Sequence, residues 1–157
     1  MDMPISSFSV TNPGVEIRLG DQLIRYDRSR TREGYATMTS GGADDCACSY
    51  CRNFIAQRAT AFPAKFMSLL DQLGIDPARE GEVYECGDAG DGRRSYGGWL
   101  FFCGQILESG EGRINDAEIQ YWIADGRTLP APTGDFGLDL LALDFTMKLP
   151  WILPETP

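Results

Sequence analysis

The chain has 157 residues, 14 Lys and Arg against 23 Asp and Glu, and a net charge of −9 at pH 7. That charge argues against a surface for nucleic acid or for anionic membranes, and it suits a basic partner. The chain contains no histidine, which excludes Ser-His-Asp and Cys-His catalytic mechanisms.

A length of this order is typical of one domain, so we expect a single domain over residues 1–157. The first residues have neither a basic region nor an apolar run, and no stretch of about 18 apolar residues is present. Five cysteines without an export signal are typical of a reducing compartment. We therefore expect a cytoplasmic protein.

The N-terminal third is predicted to contain one hairpin. Residues 1–13 mix polar residues with proline, and we expect them to be extended. Apolar alternation on both sides of Gly20 and Asp21 predicts a hairpin between Val15 and Tyr26.

Residues 27–45 are polar and rich in glycine, which is typical of a loop. Arg28, Arg30 and Arg32 alternate at its start and would form one basic face on a strand. We favour a solvated loop instead, because short charge runs are usually exposed to water.

Two helices are predicted after this loop. The segment from Ser49 to Arg58 has helical character, with Ser49 as its N-cap. The second helix begins at Pro63 and ends before Gly74. Its core face is an apolar stripe with helical spacing, formed by Phe66, Leu69, Leu70 and Leu73.

The remaining chain is predicted to be mainly strand. Apolar and aromatic runs indicate strands at 82–87, 96–107, 117–124 and 141–149, with a turn near Asp91-Gly92 and an extended tail at 150–157. The predicted fold class is α+β: one mostly antiparallel sheet of about five or six strands with two helices packed on it.

Three thiols fall within six residues, at Cys46, Cys48 and Cys51. They lie where the first helix is predicted to begin, so Cys51 would be in its first turn. The free N–H groups there favour a thiolate, the form that binds metals and attacks electrophiles.

One interpretation of the three thiols is a Zn²⁺ site, which needs a fourth ligand. The candidates are Cys86, Cys103, a carboxylate such as Asp44 or Asp45, and water. A turn near residue 91 would place Cys86 opposite the bare Gly97. Cys103 would then lie about 20 Å further along its strand. The predicted metal ligands are therefore Cys46, Cys48, Cys51 and Cys86.

Two other interpretations stay open. Cys48-Ser-Tyr-Cys51 is a C-x-x-C motif that opens a helix, which is the arrangement of disulfide oxidoreductases. However, the residues before it have loop composition, whereas a thioredoxin-like site follows a buried strand. The thiols could also be inert packing, since free cysteine is among the most buried residue types.

The segments that carry a family resemblance are Cys46-x-Cys48-x-x-Cys51-Arg-Asn-Phe54, Tyr96-Gly-Gly-Trp99 and Pro150-Trp151. Together they resemble a group of small uncharacterised bacterial proteins with a C-x-C-x-x-C-[RK]-N-F motif. The resemblance implies one domain with a thiol-centred motif. It implies no catalytic roles, because that group has no established activity.

The predicted function is a non-enzymatic cytosolic binding or interaction domain with the cysteine cluster as a Zn²⁺ clamp. Its partner would be a protein or a small molecule, and neither nucleic acid nor a membrane. The first alternative is a thiol-disulfide oxidoreductase that uses Cys48 and Cys51. The second is an immunity-type protein that neutralises a basic partner, which is an analogy with other small acidic proteins.

Overall fold

The computed structural model of the chain describes residues 14–157. It contains seven strands: β1 Val15–Leu19, β2 Gln22–Tyr26, β3 Glu82–Gly90, β4 Arg93–Glu108, β5 Ile114–Asp116, β6 Ile119–Asp125 and β7 Leu140–Pro150. The helices are α1 Arg28–Ala36, α2 Ser49–Ala61 and α3 Ala64–Leu73, with short 3₁₀ helices at Gly42–Asp45 and Gly126–Thr128. The extended segment predicted for residues 1–13 lies outside the described residues.

The seven strands form one antiparallel sheet in the order β1-β2-β4-β7-β6-β5, with β3 also paired to β4. Strand β4, which has 16 residues, is long enough to pair with three other strands. Its first half pairs with β3 and its last residues pair with β2, so these two strands share one edge of β4. The predicted α+β class is confirmed, with seven strands and three helices in place of five or six strands and two helices.

Side chains alternate between two faces of the sheet. The inner face is covered by α2 and α3, which pack aromatic rings against it. Ring centroids lie 5.9 Å apart for Phe54–Tyr96, 5.0 Å for Phe66–Tyr121 and 5.3 Å for Phe62–Phe145.

The opposite face, here called the outer face, carries the other half of the alternating side chains. One end of it is covered by α1 and by Phe136, whose ring centroid lies 5.0 Å from that of Tyr35 and 6.3 Å from that of Phe101. The Tyr35 hydroxyl also donates to the Phe101 carbonyl at 2.6 Å.

The loop predicted for residues 27–45 is wrong over its first part, which forms α1. Asp27 is the N-cap, and its carboxylate accepts the Arg30 N–H at 2.9 Å. Only Thr31, Gly34 and Tyr35 are buried on this helix, so its sequence carries no apolar periodicity that would predict it. Packing against β4 stabilises a helix that local sequence alone does not specify.

Since they lie on a helix, Arg28, Arg30 and Arg32 do not form the alternating face of a strand. Arg28 pairs with Asp71 of α3 at 3.4 Å, and Arg30 pairs with Asp135 at 3.3 Å. These ion pairs attach α1 to α3 and to the loop that carries Phe136.

The predicted hairpins around Gly20-Asp21 and Asp91-Gly92 are confirmed. In the second hairpin, however, β3 contains two bulges, at residues 85–87 and 88–90. Each bulge adds one residue to β3 without a counterpart on β4. Tyr84 therefore faces Gly97, and the predicted pairing of Cys86 with Gly97 is wrong.

The predicted helix at residues 63–73 is confirmed as α3. Its four apolar stripe residues are all buried, and Gly74 ends it with a φ of +85°. The Ile75 N–H donates to the Leu70 carbonyl at 2.8 Å, which completes the C-terminal cap. No helix found between residues 14 and 157 is long and apolar enough to cross a membrane.

Candidate metal centre

Cys46, Cys48 and Cys51 lie together at the N-terminal end of α2. Their three sulfur atoms are all within 4.8 Å of one another, and the Sγ atoms of Cys46 and Cys48 are 3.2 Å apart. Zn–S bonds are about 2.3 Å long, so sulfurs at these separations can share one metal ion. The cluster is therefore close enough to bind a metal.

The backbone at Cys48 starts the helix. Cys48 is the N-cap, and its sulfur accepts the Cys51 N–H at 3.4 Å. The N-cap is thus one residue earlier than the predicted Ser49. The prediction that Cys51 lies in the first helical turn is confirmed.

The two thiols of the C-x-x-C motif have opposite environments. The pKa of Cys48 is lowered, chiefly by the hydrogen bond from the Cys51 backbone. Burial raises the pKa of Cys51 far above its usual range. The expectation that Cys51 carries the thiolate is therefore wrong, because Cys51 is buried and Cys48 is exposed.

The loop before the cluster is held by Glu80, which lies between α3 and β3. The Glu80 carbonyl accepts the Gly42 N–H at 2.8 Å, and its carboxylate accepts the Ala43 N–H at 3.0 Å. These bonds fix the 3₁₀ turn at Gly42–Asp45, whose end leads directly into Cys46. Glu80 thereby sets the position of the first of the three thiols.

Glu80 also forms a buried ion pair with Arg58 of α2. The guanidinium donates to the Glu80 carboxylate at 2.7 Å and to Asp44 at 3.1 Å. Glu80 is only 1% exposed, and its Oε2 atom has no hydrogen-bond partner within residues 14–157. Burial accordingly raises the pKa of Glu80 despite the paired arginine.

The C-terminal tail packs beside the cluster. Both Glu155 carboxylate oxygens accept hydrogen bonds from Arg52, at 2.9 and 2.8 Å. The Trp151 ring lies 5.8 Å from the Tyr50 ring in an edge contact. The first turn of α2 therefore carries both the thiols and the attachment of the tail.

The amide side chain of Asn53, which follows Arg52 in the motif, forms hydrogen bonds with several parts of the protein. Its side chain is fully buried and donates to the Tyr96 hydroxyl at 3.3 Å and the Pro150 carbonyl at 3.1 Å. Its oxygen accepts the Ile152 N–H at 2.9 Å. Asn53 thus connects the cysteine-bearing helix to both β4 and the tail.

The structure does not bring the predicted fourth ligand, Cys86, to the other three. Cys86 is the extra residue in the first bulge of β3. It is exposed and lines a groove with Ser95, Thr146 and Lys148 on the outer face. The three-cysteine cluster lies at the N-terminal end of α2, which covers the inner face.

The other predicted candidates are engaged elsewhere. Cys103 is buried, its thiol donates to the Phe136 carbonyl at 3.1 Å, and burial raises its pKa to about 11. Asp44 accepts from Gly41 and Arg58, and Asp45 accepts from Ser40. The group of possible metal ligands found within residues 14–157 therefore consists of the three cysteines alone.

Sequence reasoning missed Glu80, Arg58 and Glu155, which position the cluster. Each of them is distant in sequence from its partner or lies in a polar segment without a motif. Glu80 follows Arg79 in a charged segment, so its sequence context predicts an exposed side chain, whereas the structure buries it. The proximity of Glu155 to Arg52 depends on how the tail folds back onto α2.

Searches with protein-family models, against curated proteins and against solved structures find no match for this chain. The resemblance to the bacterial group with the C-x-C-x-x-C-[RK]-N-F motif therefore stays a prediction.

Proposed function

We propose that this chain is a non-enzymatic binding domain in which Cys46, Cys48 and Cys51 hold a Zn²⁺ ion. The observation that carries the proposal is the grouping of three sulfurs within 4.8 Å. The metal would fasten the loop that ends at Cys46 to the start of α2. Zinc suits the site because thiolates bind it tightly and because a stable clamp needs no redox change.

The binding role is supported by charge and by residue types. The net charge of −9 favours a partner with a basic surface. The absence of histidine from the sequence removes the most common general base. We propose a protein or small-molecule partner, and place the chain in the cytoplasm.

Tetrahedral zinc needs one ligand beyond the three cysteines. The exposed positions of Cys46 and Cys48 allow water or a thiol from solution to supply it. Cys86 as the fourth ligand stays a prediction, and it would require β3 to rearrange around its bulge.

The test is elemental analysis of freshly purified protein, with Cys48→Ser compared against Cys86→Ser. We expect about one zinc per chain in the wild type and in Cys86→Ser, and none in Cys48→Ser. A chelator should lower the unfolding temperature of the wild type and of Cys86→Ser but not that of Cys48→Ser, since the metal stabilises the folded state. Wild-type protein without metal contradicts the clamp, and metal loss in Cys86→Ser would identify Cys86 as a ligand.

One observation favours thiol-disulfide exchange as a second candidate. An exposed thiol with a lowered pKa at Cys48, followed by a buried thiol with a raised pKa at Cys51, suits an attacking and a resolving cysteine. This candidate predicts metal-free protein in which two thiols become titratable only after a reductant is added. Five free thiols in metal-free protein would contradict both candidates.

A further inference from the structure

Three residues lie side by side across the middle of the outer face. Asp144 on β7 is directly opposite Trp99 on β4 and directly opposite Trp122 on β6. Directly opposed side chains on neighbouring strands are in contact distance. A carboxylate therefore lies between two indole rings, on the face that α2 and α3 leave uncovered.

The row continues at both ends with charged residues. Glu82 on β3 is directly opposite Trp99. At the other end, Arg113 places its guanidinium 4.1 Å from the centre of the Trp122 ring and donates to Gln120 at 3.1 Å. Arg113 also favours the charged form of Asp144. The Trp122 half of the row thus already holds a guanidinium stacked on an indole beside a carboxylate.

The Trp99 half has the same chemistry with more negative charge. Glu82 and Asp144 are the cross-strand neighbours of Trp99 on its two sides, and the Glu82 carboxylate accepts the Val83 N–H at 3.1 Å. Across residues 14–157, arginines stack on Phe54, Tyr50 and Trp122, and none stacks on Trp99. Trp99 is therefore an indole between two acidic groups without a basic group of its own chain over it.

Tyr84 widens the aromatic surface next to Trp99. It is 43% exposed, and its ring centroid lies 6.3 Å from that of Trp99. Its ring lies over Gly97, where a Cβ atom would collide with it. Glycine at this position keeps the tyrosine ring down against the sheet and open to solvent on its other side.

We propose that the outer face binds an arginine side chain of a basic partner protein, with the guanidinium stacked on Trp99 and paired with Asp144 and Glu82. The planar guanidinium group of arginine stacks on indole rings and pairs with carboxylates more readily than the ammonium group of lysine does. Arg113 on Trp122 is the example of this contact within the chain. The net charge of −9 would attract such a partner over a distance. This proposal does not depend on metal binding, because the three cysteines lie at the start of α2, on the other side of the sheet.

The test uses the full chain labelled with ¹⁵N and a hexa-arginine peptide as the probe. The chain has three tryptophans, so three indole N–H signals report separately. We expect saturable shifts of the Trp99 and Trp122 signals, while Trp151 beside α2 stays unchanged. Equal shifts of all three signals, or shifts that do not saturate, would overturn the proposal.

A set of variants separates stacking from general charge attraction. Asp144→Asn and Trp99→Phe should each weaken peptide binding about tenfold, the loss expected for one good charge-assisted or stacking contact. Asp71→Asn removes the same charge from α3, where the side chain is exposed, and should leave binding unchanged. Hexa-lysine that binds as tightly as hexa-arginine, or equal weakening by Asp71→Asn, would also overturn the proposal.

Discussion

At the residue scale, one backbone N–H distinguishes two cysteines that are three positions apart. The Cys51 amide points at the Cys48 sulfur because Cys48 is the N-cap of α2, and this contact stabilises negative charge on that sulfur. The Cys51 side chain turns into the core instead, where burial opposes ionisation. The same helix start therefore shifts the pKa values of the two thiols in opposite directions. Bound zinc would deprotonate both of them.

Asp144 is the residue whose titration we expect to change stability. Burial raises its pKa from 3.8 to about 6. Between about pH 4 and pH 6 the folded state therefore binds more protons than the unfolded chain, so stability falls as pH rises through that interval. Asp144→Asn removes this loss. Its urea midpoint should exceed that of the wild type at pH 7.5 and match it near pH 4.

The control for this prediction is Asp71→Asn, which removes the same charge from an exposed position on α3. Arg113 and Glu82 are the charged groups that extend the Asp144 row, and both remain in the variant. An Asp144→Asn protein that is less stable than wild type at pH 7.5 would mean that the Asp144 charge stabilises the fold.

At the element scale, α2 joins the cysteine cluster, the sheet and the tail. Three consecutive residues of the motif contact the tail, the sheet and the core between them. Arg52 pairs with Glu155 of the tail, Asn53 bonds to Tyr96 and the tail backbone, and Phe54 packs into the core. The C-R-N-F sequence after the thiols is therefore structural, whatever the thiols bind.

Replacing Asn53 with alanine should destabilise the protein by about 2–4 kcal/mol. The change leaves the Ile152 N–H and the Pro150 carbonyl with fewer partners and creates a cavity at the fully buried position of Asn53. Chemical denaturation with a two-state fit measures the loss. Gln57→Ala is the matched control, since Gln57 is one turn later and also donates to the Pro150 carbonyl. Equal effects of the two changes would contradict the special role of Asn53.

At the scale of the whole molecule, the Arg58–Glu80 pair joins segments that are far apart in the chain. Arg58 lies on α2, Glu80 precedes β3, and the loop at Gly42–Asp45 is bonded to both. The pair is buried, with exposures of 13% and 1% for the two side chains. It determines how the thiol-bearing loop meets the rest of the protein.

The two halves of this pair should respond differently to substitution. Arg58→Met leaves the Glu80 carboxylate buried without a counter-ion and should cost about 3–5 kcal/mol at pH 7. Glu80→Gln keeps the shape of the side chain and leaves Arg58 paired with Asp44, so it should cost clearly less. Urea denaturation of both variants at pH 7 measures the difference. A larger loss for Glu80→Gln would show that the hydrogen bonds of the carboxylate outweigh the burial of its charge.

Local patterns in the sequence were sufficient to predict the fold class, two hairpins, α3 and the three-thiol group. Apolar alternation, the spacing of the α3 stripe and the glycine at position 74 act over only a few residues, so one chain segment contains all the information. The proximity of Cys46, Cys48 and Cys51 follows from the same fact, since the three lie within six residues.

The tertiary structure decided what depends on contacts distant in sequence. The polar segment at 28–36 became a helix because β4 and Phe136 cover it, and the bulges in β3 moved Cys86 away from the position that simple pairing predicts. The burial of Cys51 and Glu80, and the row of Trp99, Asp144 and Trp122, exist only once strands are in register. Burial and register are properties of the assembled sheet, so the sequence by itself determined the hairpins, α3 and the thiol group, while the fold determined α1 and the environment of each side chain.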